Sequence, residues 1–304
     1  MITDFSHQII AQAQRLGAIA VGFAKAEPVD TSVRQAYEQW IAGRRHGTMD
    51  YLDRYPDVRF DPRELLPGAQ TVISLAFPYR PAGGYHHPCI ADYALGQDYH
   101  VVLRQKLSAL GDFIGEATSA QSRPCIDTAP ILERYWAVKA GVGFIGRNHQ
   151  LIVPGIGSGV FLAELVTTLP LEPSDPSTSA CEDCGRCIAA CPGNALGDDG
   201  TFDARLCKSY LSIEYRGELA LGQLGTCVYG CDICQQVCPH NAGEPPLPLA
   251  EFQPDTRLLD LDRAALSALS AGDWRRLSRL SAMRRITYRQ LRRNLSCNDS
   301  LTII

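Results

Sequence analysis

With 304 residues, 45% of them hydrophobic and 20% charged, the chain has the make-up of a globular protein with room for one large domain or two to three smaller ones. Its formal net charge of −4 gives no global attraction to nucleic acid, and no apolar run approaches the ~20 residues needed to cross a bilayer. Met1-Ile2-Thr3-Asp4 has neither the basic nor the apolar stretch of a secretory signal, so a cytoplasmic protein with no membrane partner is expected.

Phe5, Ile9, Ala13 and Leu16 recur at helical spacing, and Gly17 is placed to close that helix. The apolar run from Ala18 to Phe23 predicts a strand. Val33, Tyr37, Trp40 and Ile41 mark a second amphipathic helix, with Asp30, Thr31 or Ser32 as its N-cap. Val72 to Phe77 predicts a buried strand ending at Pro78, and residues 100–118 a helix. Cys125-Ile126-Asp127 looks like a strand end before a helix that Pro130 starts, and Gly159 to Thr168 like a further strand. This alternation predicts a layered α/β domain over residues 1–168. Leu169 to Ala180, rich in Pro, Ser and Thr, resembles a linker, and the loop Asn241 to Pro248 holds three prolines. Helical periodicity returns from Thr256.

Nine of the twelve cysteines fall between 181 and 238, and without an export signal such crowding points to metal ligation rather than disulfides. Cys181-x2-Cys184-x2-Cys187-x3-Cys191-Pro192 is the bacterial ferredoxin run, whose fourth cysteine ligates the other of two [4Fe–4S] clusters. Cys231-x2-Cys234-x3-Cys238-Pro239 supplies the partner motif. Structural zinc would use separate Cys-x2-Cys pairs instead. One cluster takes Cys181, Cys184, Cys187 and Cys238; the other takes Cys191, Cys231 and Cys234 plus either Cys207 or Cys227, which spacing does not separate. Cys89, Cys125 and Cys297 lack ligand spacing. The first 168 residues carry no Gly-x-Gly-x-x-Gly fingerprint, so the clusters feed a redox centre other than a Rossmann nicotinamide.

Several segments together resemble the cobalamin-dependent epoxyqueuosine reductases. They include Trp40-Ile41-x-Gly43 through His46-Gly47-x-Met49-x-Tyr51-Leu52, and Arg59-x-Asp61-Pro62-x2-Leu65-x-Pro67-Gly68-Ala69. Tyr93-Ala94-Leu95-Gly96-x-Asp98-Tyr99-His100, Asp127-Thr128-Ala129-Pro130-x-Leu132-Glu133-Arg134 and Gly141-x-Gly143-Phe144-Ile145-Gly146-x-Asn148 continue the match. So do Cys207-x-Ser209-Tyr210-Leu211 and Tyr229-Gly230-Cys231-Asp232-x-Cys234-Gln235, carrying the likeness from about residue 5 to 295.

The resemblance implies a fold of mixed α+β or α/β type in three parts. These are a cobalamin-binding layered α/β domain (1–168), a ferredoxin-like two-cluster domain (169–248) and a short basic helical C-terminal segment (249–304). It implies two [4Fe–4S] clusters, with Cys207 rather than Cys227 in the second, and cob(II)alamin. Asp98-x-His100-x-x-Leu103 lacks the glycine of the Asp-x-His-x-x-Gly motif, which suits a cobalt without a protein histidine. The implied reaction is the two-electron reduction of epoxyqueuosine to queuosine at the wobble position of tRNA, the last step of queuosine biosynthesis. The implied partners are a tRNA anticodon stem-loop and an external electron donor, and a monomer is expected. Corrinoid reductive dehalogenation and electron carriage by an iron–sulfur subunit are the alternatives.

By the same resemblance Asp127 is the catalytic proton donor, and a carboxylic acid of raised pKa would serve that role. Its alternative is to cap the helix at Pro130. Asp98, His100, Asp127, Arg134, Asn148, Ser158, Ser209 and Gln235 are the expected cofactor-binding residues. Gly141, Gly143 and Gly146 either let backbone approach a flat macrocycle or serve turn geometry. Trp274 to Ser296 holds eight arginines and no acid, a local basic face suited to RNA phosphates. Arg284, Arg285, Arg292 and Arg293 are its expected tRNA contacts, set apart from the clusters and the first domain, with Trp274 and Tyr288 as the nearby aromatics.

Overall fold

The computed structural model describes residues 2–81, 84–243 and 248–297. The middle of the proline-bearing loop and residues 298–304 of the C-terminal segment lie outside the described residues. Helix α1 (Ile2–Arg15) buries Ile9 and Ala13 completely. It closes at Gly17, whose φ of +99° side chains disfavour, while the Ala18 N–H returns to the Ala13 carbonyl. That turn consumes Ala18, the Ile19 N–H reaches the Ala76 carbonyl, and β1 runs Ala20–Lys25, later than the apolar run predicts. Helices α2 (Thr31–Ala42), α3 (Pro56–Phe60) and α4 (Pro62–Leu65) lead to β2 (Thr71–Pro78), which is buried throughout. Then come α5 (Tyr99–Thr118), β3 (Ser122–Cys125), α6 (Glu133–Lys139), the small β4 (Phe144–Ile145) and β5 (Leu151–Ile152), and β6 (Val160–Thr167).

The main sheet has the order β1-β2-β6-β3 with every pairing antiparallel. Of the two mixed classes expected, this direction selects α+β. Side chains alternate across a strand, and β2 shows it: Ile73, Leu75 and Phe77 pack with α1 and α5, Val72 and Ala76 with α6. On α5, Leu103, Leu110 and Ile114 are 0% exposed, each contributing about 1.5–3 kcal/mol of burial. Helix α6 begins at Glu133, past Pro130, so the helix expected to start at that proline does not. Residues 169–180 form no regular element yet do not hang free. Ser174 exchanges two hydrogen bonds of 2.9 Å with the Phe23 backbone and covers the β1 edge.

Three short helices carry the cysteine region: α7 (Arg186–Ala189), α8 (Lys208–Ile213) and α9 (Ile233–Gln236). Beyond it lie α10 (Thr256–Leu259), α11 (Arg263–Ala268), α12 (Ala271–Ser278) and α13 (Tyr288–Ser296). Capping boxes open α12 (Ser270 with Asp273) and α13 (Thr287 with Gln290). Leu258, Leu266, Trp274, Met283 and Leu291 pack against Ile90, Leu95, Ile213 and Tyr229 in one core. The last segment is therefore seated on both the first part and the cysteine region.

Candidate active site

Asp98 precedes α5 in extended backbone and caps it, its Oδ1 accepting the His100 N–H at 3.1 Å. The same oxygen lies 2.7 Å from His100 Nδ1, and His100 Nε2 lies 2.9 Å from Asp127 Oδ2. The imidazole is clamped between two carboxylates. Burial works to lower the His100 pKa, but the hydrogen bonds and charges of Asp127 and Asp98 prevail and lift it to about 9. Burial pushes Asp127 up, yet the His100 hydrogen bond and charge, then Tyr99, hold it below its ordinary value. The raised acid expected at Asp127 is thus corrected: near neutrality the proton sits on His100 and Asp127 is its ionised partner. Asp98 is likewise held low, against burial, by His100 and then Arg284. Arg284 Nε is 2.8 Å from Asp98 Oδ2, an ion pair whose alignment does not make a hydrogen bond.

Asp127 does not cap a helix. It is the tip of the turn between β3 and α6, at φ +44°, with the Thr128 N–H returning to the Ile126 carbonyl. Its own N–H donates to Glu133 Oε1 at 2.5 Å. Burial, then the Asp127 charge, pushes Glu133 up to about 8. Behind it Glu164 of β6 is fully buried, raised by burial and by Glu133, and accepts Ser74 Oγ at 3.1 Å. Arg134 donates to the His149 carbonyl at the exposed side of the same turn. No motif spacing marks Tyr99, Glu133 or Glu164 as site residues. An acid inside the apolar run Val160-Phe161-Leu162-Ala163-Glu164-Leu165-Val166 was the available signal.

The cysteines sort into two groups. Burial raises each of the following thiols first, and neighbouring sulfurs add to it. Cys187 feels Cys181 and Cys238, and Cys238 feels Cys181 and Cys184. Cys207 feels Cys191 and Cys231, and Cys234 feels Cys191, Cys207 and Cys231. Cys181, Cys184, Cys187 and Cys238 also wall a pocket with Gly146, Asn148 and Ile152. A donor set of four sulfurs around a hollow suits a cubane. Cys227 is joined to Cys231 by a sulfur hydrogen bond.

Between the sheet and the cysteine region runs a buried polar seam. Ser158 Oγ donates to Gln235 Oε1 at 2.9 Å, and Asn241 Nδ2 donates to the Gln235 carbonyl at 2.7 Å. Asn241 Oδ1 accepts the Ser158 N–H at 2.7 Å, and Asn148 Nδ2 donates to the Cys234 carbonyl at 3.4 Å. Asn148, Ser158 and Gln235 therefore bond within the protein, apart from the clamp of Asp98, His100 and Asp127. Ser209, in α8, turns its backbone N–H to the Cys207 sulfur. Gly141 takes a φ of +72°, and a Cβ there would collide with the Asp175 carbonyl, as one on Gly143 would with that of Ile152.

The four arginines are not one face. Arg284 meets Asp98, so the expectation that this run stands apart from the first domain fails. Arg285 grips Glu214 at 2.9 and 2.8 Å and lies 5.9 Å over the Tyr51 ring. Arg292 donates to the Ser267 carbonyl at 2.5 Å. Arg293 donates to the carbonyls of Tyr215, Gly217 and Leu211 at 2.7, 2.9 and 3.0 Å. Trp274 is buried, and Tyr288 donates to the Leu269 carbonyl. The exposed aromatic beside these arginines is instead Tyr51, 43% exposed.

A family model described as epoxyqueuosine reductase QueG matches residues 59–128, which hold Asp98, His100 and Asp127. A 4Fe-4S double cluster binding domain matches residues 180–241, which hold both cysteine groups. The epoxyqueuosine reductase of Vibrio cholerae is 37% identical over 95% of this chain and 82% of its own. A solved epoxyqueuosine reductase with an epoxyqueuosine-modified tRNA-Tyr stem loop superposes with a TM-score of 0.86 at 28% identity, covering 97% of this chain and 80% of that one. The Bacillus subtilis enzyme, solved with its catalytic aspartate loop swung out of the active site, gives 0.85 at 27% identity over 97% and 81%.

Proposed function

The chain belongs to the epoxyqueuosine reductase family, and we propose that it reduces epoxyqueuosine in tRNA with Asp127, His100 and Asp98 as its proton-handling array. Reduction of the epoxide to an alkene takes two electrons and two protons and releases the oxygen as water. Cys181, Cys184, Cys187 and Cys238 hold one [4Fe–4S] cluster; Cys191, Cys207, Cys231 and Cys234 hold the other. Both ring nitrogens of His100 are engaged by carboxylates, leaving none for cobalt, which fits a corrinoid without a histidine ligand. Such a corrinoid, when bound, supplies the strongly reducing centre beside the epoxide. Asp98, His100, Asp127 and Arg134 would line its site, and Asn148, Ser158, Ser209 and Gln235 would support that site from the seam beside the cysteines.

The chain's own chemistry is proton delivery. Asp127 passes the proton it shares with His100 to the departing oxygen, the second proton of the water comes from solvent, and Asp98 fixes the imidazole in the orientation this requires. The Asp127 turn moves between an engaged and a withdrawn position; in the Bacillus subtilis structure the catalytic aspartate loop is swung out of the active site. Arg284, Arg285 and Tyr51 form the rim against which an anticodon stem-loop is held. An external donor supplies the electrons, and the chain works as a monomer.

The observation that carries this reading is the 37% identity spanning 95% of the chain. Protein purified without oxygen, loaded with cobalamin and given a chemical reductant should convert an epoxyqueuosine-bearing stem loop to the queuosine form, read by nucleoside mass. Retained clusters with no cobalamin uptake and no conversion would leave an electron carrier. Conversion of an aryl halide in place of the stem loop would leave a dehalogenase.

A further inference from the structure

The turn that carries Asp127 is poorly supported by its own backbone. A φ of +44° is costly for a residue with a side chain, and the tight return of the Thr128 N–H to the Ile126 carbonyl leaves the Asp127 N–H outside any regular ladder. On either side the chain is anchored by Ile126 in one core and Ile131 in the other, 3% and 6% exposed. The tip between them has one backbone tie to the scaffold. That tie runs from the Asp127 N–H to Glu133 Oε1, 2.5 Å away on the first residue of α6.

We propose that Glu133 is a positioning residue that latches the Asp127 turn, its Oε1 accepting the Asp127 N–H so that the Asp127 carboxylate meets His100. The groups facing Glu133 fit this role. Asp127 comes from the turn, Arg134 from its own helix, His100 from α5, Glu164 from β6 and Cys125 from β3. With Asp127 ionised in front and Glu164 buried behind, a second full negative charge at Glu133 would repel the carboxylate that it serves to place. Burial and the Asp127 charge keep Glu133 neutral up to about pH 8, so it accepts the N–H without that repulsion. The latch is thus an acceptor that does not need its charge, and an amide should replace it.

This inference rests on the proposed reductase activity only for its turnover readout; amide exchange is read without substrate. In the cluster-loaded protein, Glu133→Ala should speed hydrogen exchange at the Asp127 amide about tenfold, as one lost hydrogen bond does. It should lower single-turnover kcat on the stem loop by about 100-fold, with KM and iron content unchanged, since the acid is misplaced rather than removed. Glu133→Gln keeps the acceptor and should retain both the amide protection and most of the rate. Wild-type protection of the Asp127 amide in Glu133→Ala would overturn the latch, as would a Glu133→Gln variant as fast-exchanging and slow as Glu133→Ala. Should Glu133→Ala not fold, the wild-type amide decides: unprotected exchange at Asp127 rejects the proposal, and protection that Glu133→Gln preserves supports it.

Discussion

Arg284 holds its Nε 2.8 Å from Asp98 Oδ2, tying the last segment of the chain to the carboxylate that orients His100. Arg285, next to it, is held by Glu214 and covers Tyr51. A partner that draws either arginine away therefore acts at the edge of the proton-handling array. On the proposed reading, RNA binding and proton placement share this corner.

The arginine run should accordingly split in function. Arg284→Gln with Arg285→Gln should weaken stem-loop binding and flatten its salt dependence by about one unit of slope per arginine. Arg292→Gln, whose guanidinium already serves the Ser267 carbonyl, should bind nearly as wild type. Equal losses in both variants across a salt series would restore the picture of one continuous basic face.

Arg293 should matter for stability instead. Its guanidinium serves three carbonyls, Leu211 within α8 and Tyr215 and Gly217 just after it, and Asn294 beside it donates to the Ser212 and Val228 carbonyls at 2.8 Å. Arg293→Ala removes the donor from the part-buried Tyr215 and Leu211 carbonyls and should cost about 2–3 kcal/mol in denaturant unfolding. Stem-loop affinity of the folded variant should stay near wild type. An unchanged unfolding midpoint would show that solvent satisfies those carbonyls.

For the clusters, Cys207→Ser should lose about half of the iron and Cys227→Ser should keep both clusters. The reason is the company each keeps: Cys207 interacts with Cys191, Cys231 and Cys234, whereas Cys227 is hydrogen-bonded to Cys231. Iron analysis of both variants reads the difference directly. The reverse pattern would exchange the two cysteines in the assignment.

Much of this was legible in the sequence because local spacing dictates it. The cysteine run, the Gly17 helix stop and the buried strand at Val72 to Phe77 each depend on a few neighbouring residues. Sheet direction was not legible, since antiparallel pairing of β2 with β6 joins Thr71 to Thr167 across almost a hundred residues. Asp127 was placed by motif, but its ionisation was not, because that depends on His100 arriving from α5. Pro130 looked like a helix start, yet α6 waits until Glu133 while Ile131 is drawn into the core. The arginines of the last segment read as one basic face for RNA because Asp98, Glu214 and the carbonyls that hold them lie far away in sequence.

The array should also show a defined pH window. His100 moves from an unfolded pKa of about 6.5 to about 9 in the fold, so the folded state favours its protonated form. That contribution is complete below about pH 6.5 and is lost as the pH rises through about 9. Asp98 and Asp127 run the other way: held below their ordinary values, they contribute above it, and the contribution is lost as acid protonates them in the fold. Single-turnover rates with pre-reduced enzyme should therefore fall on an alkaline limb near pH 9, because the pair no longer carries a proton to pass on. Asp127→Asn should keep clusters and fold and lose turnover at every pH. His100→Gln should be slow throughout and should lack that limb. The Tm difference between wild type and His100→Gln should be largest below about pH 6.5 and close towards pH 10. A wild-type rate that stays level to pH 10, or a Tm gap that widens with pH, would place the transferable proton on a group other than the His100–Asp127 pair.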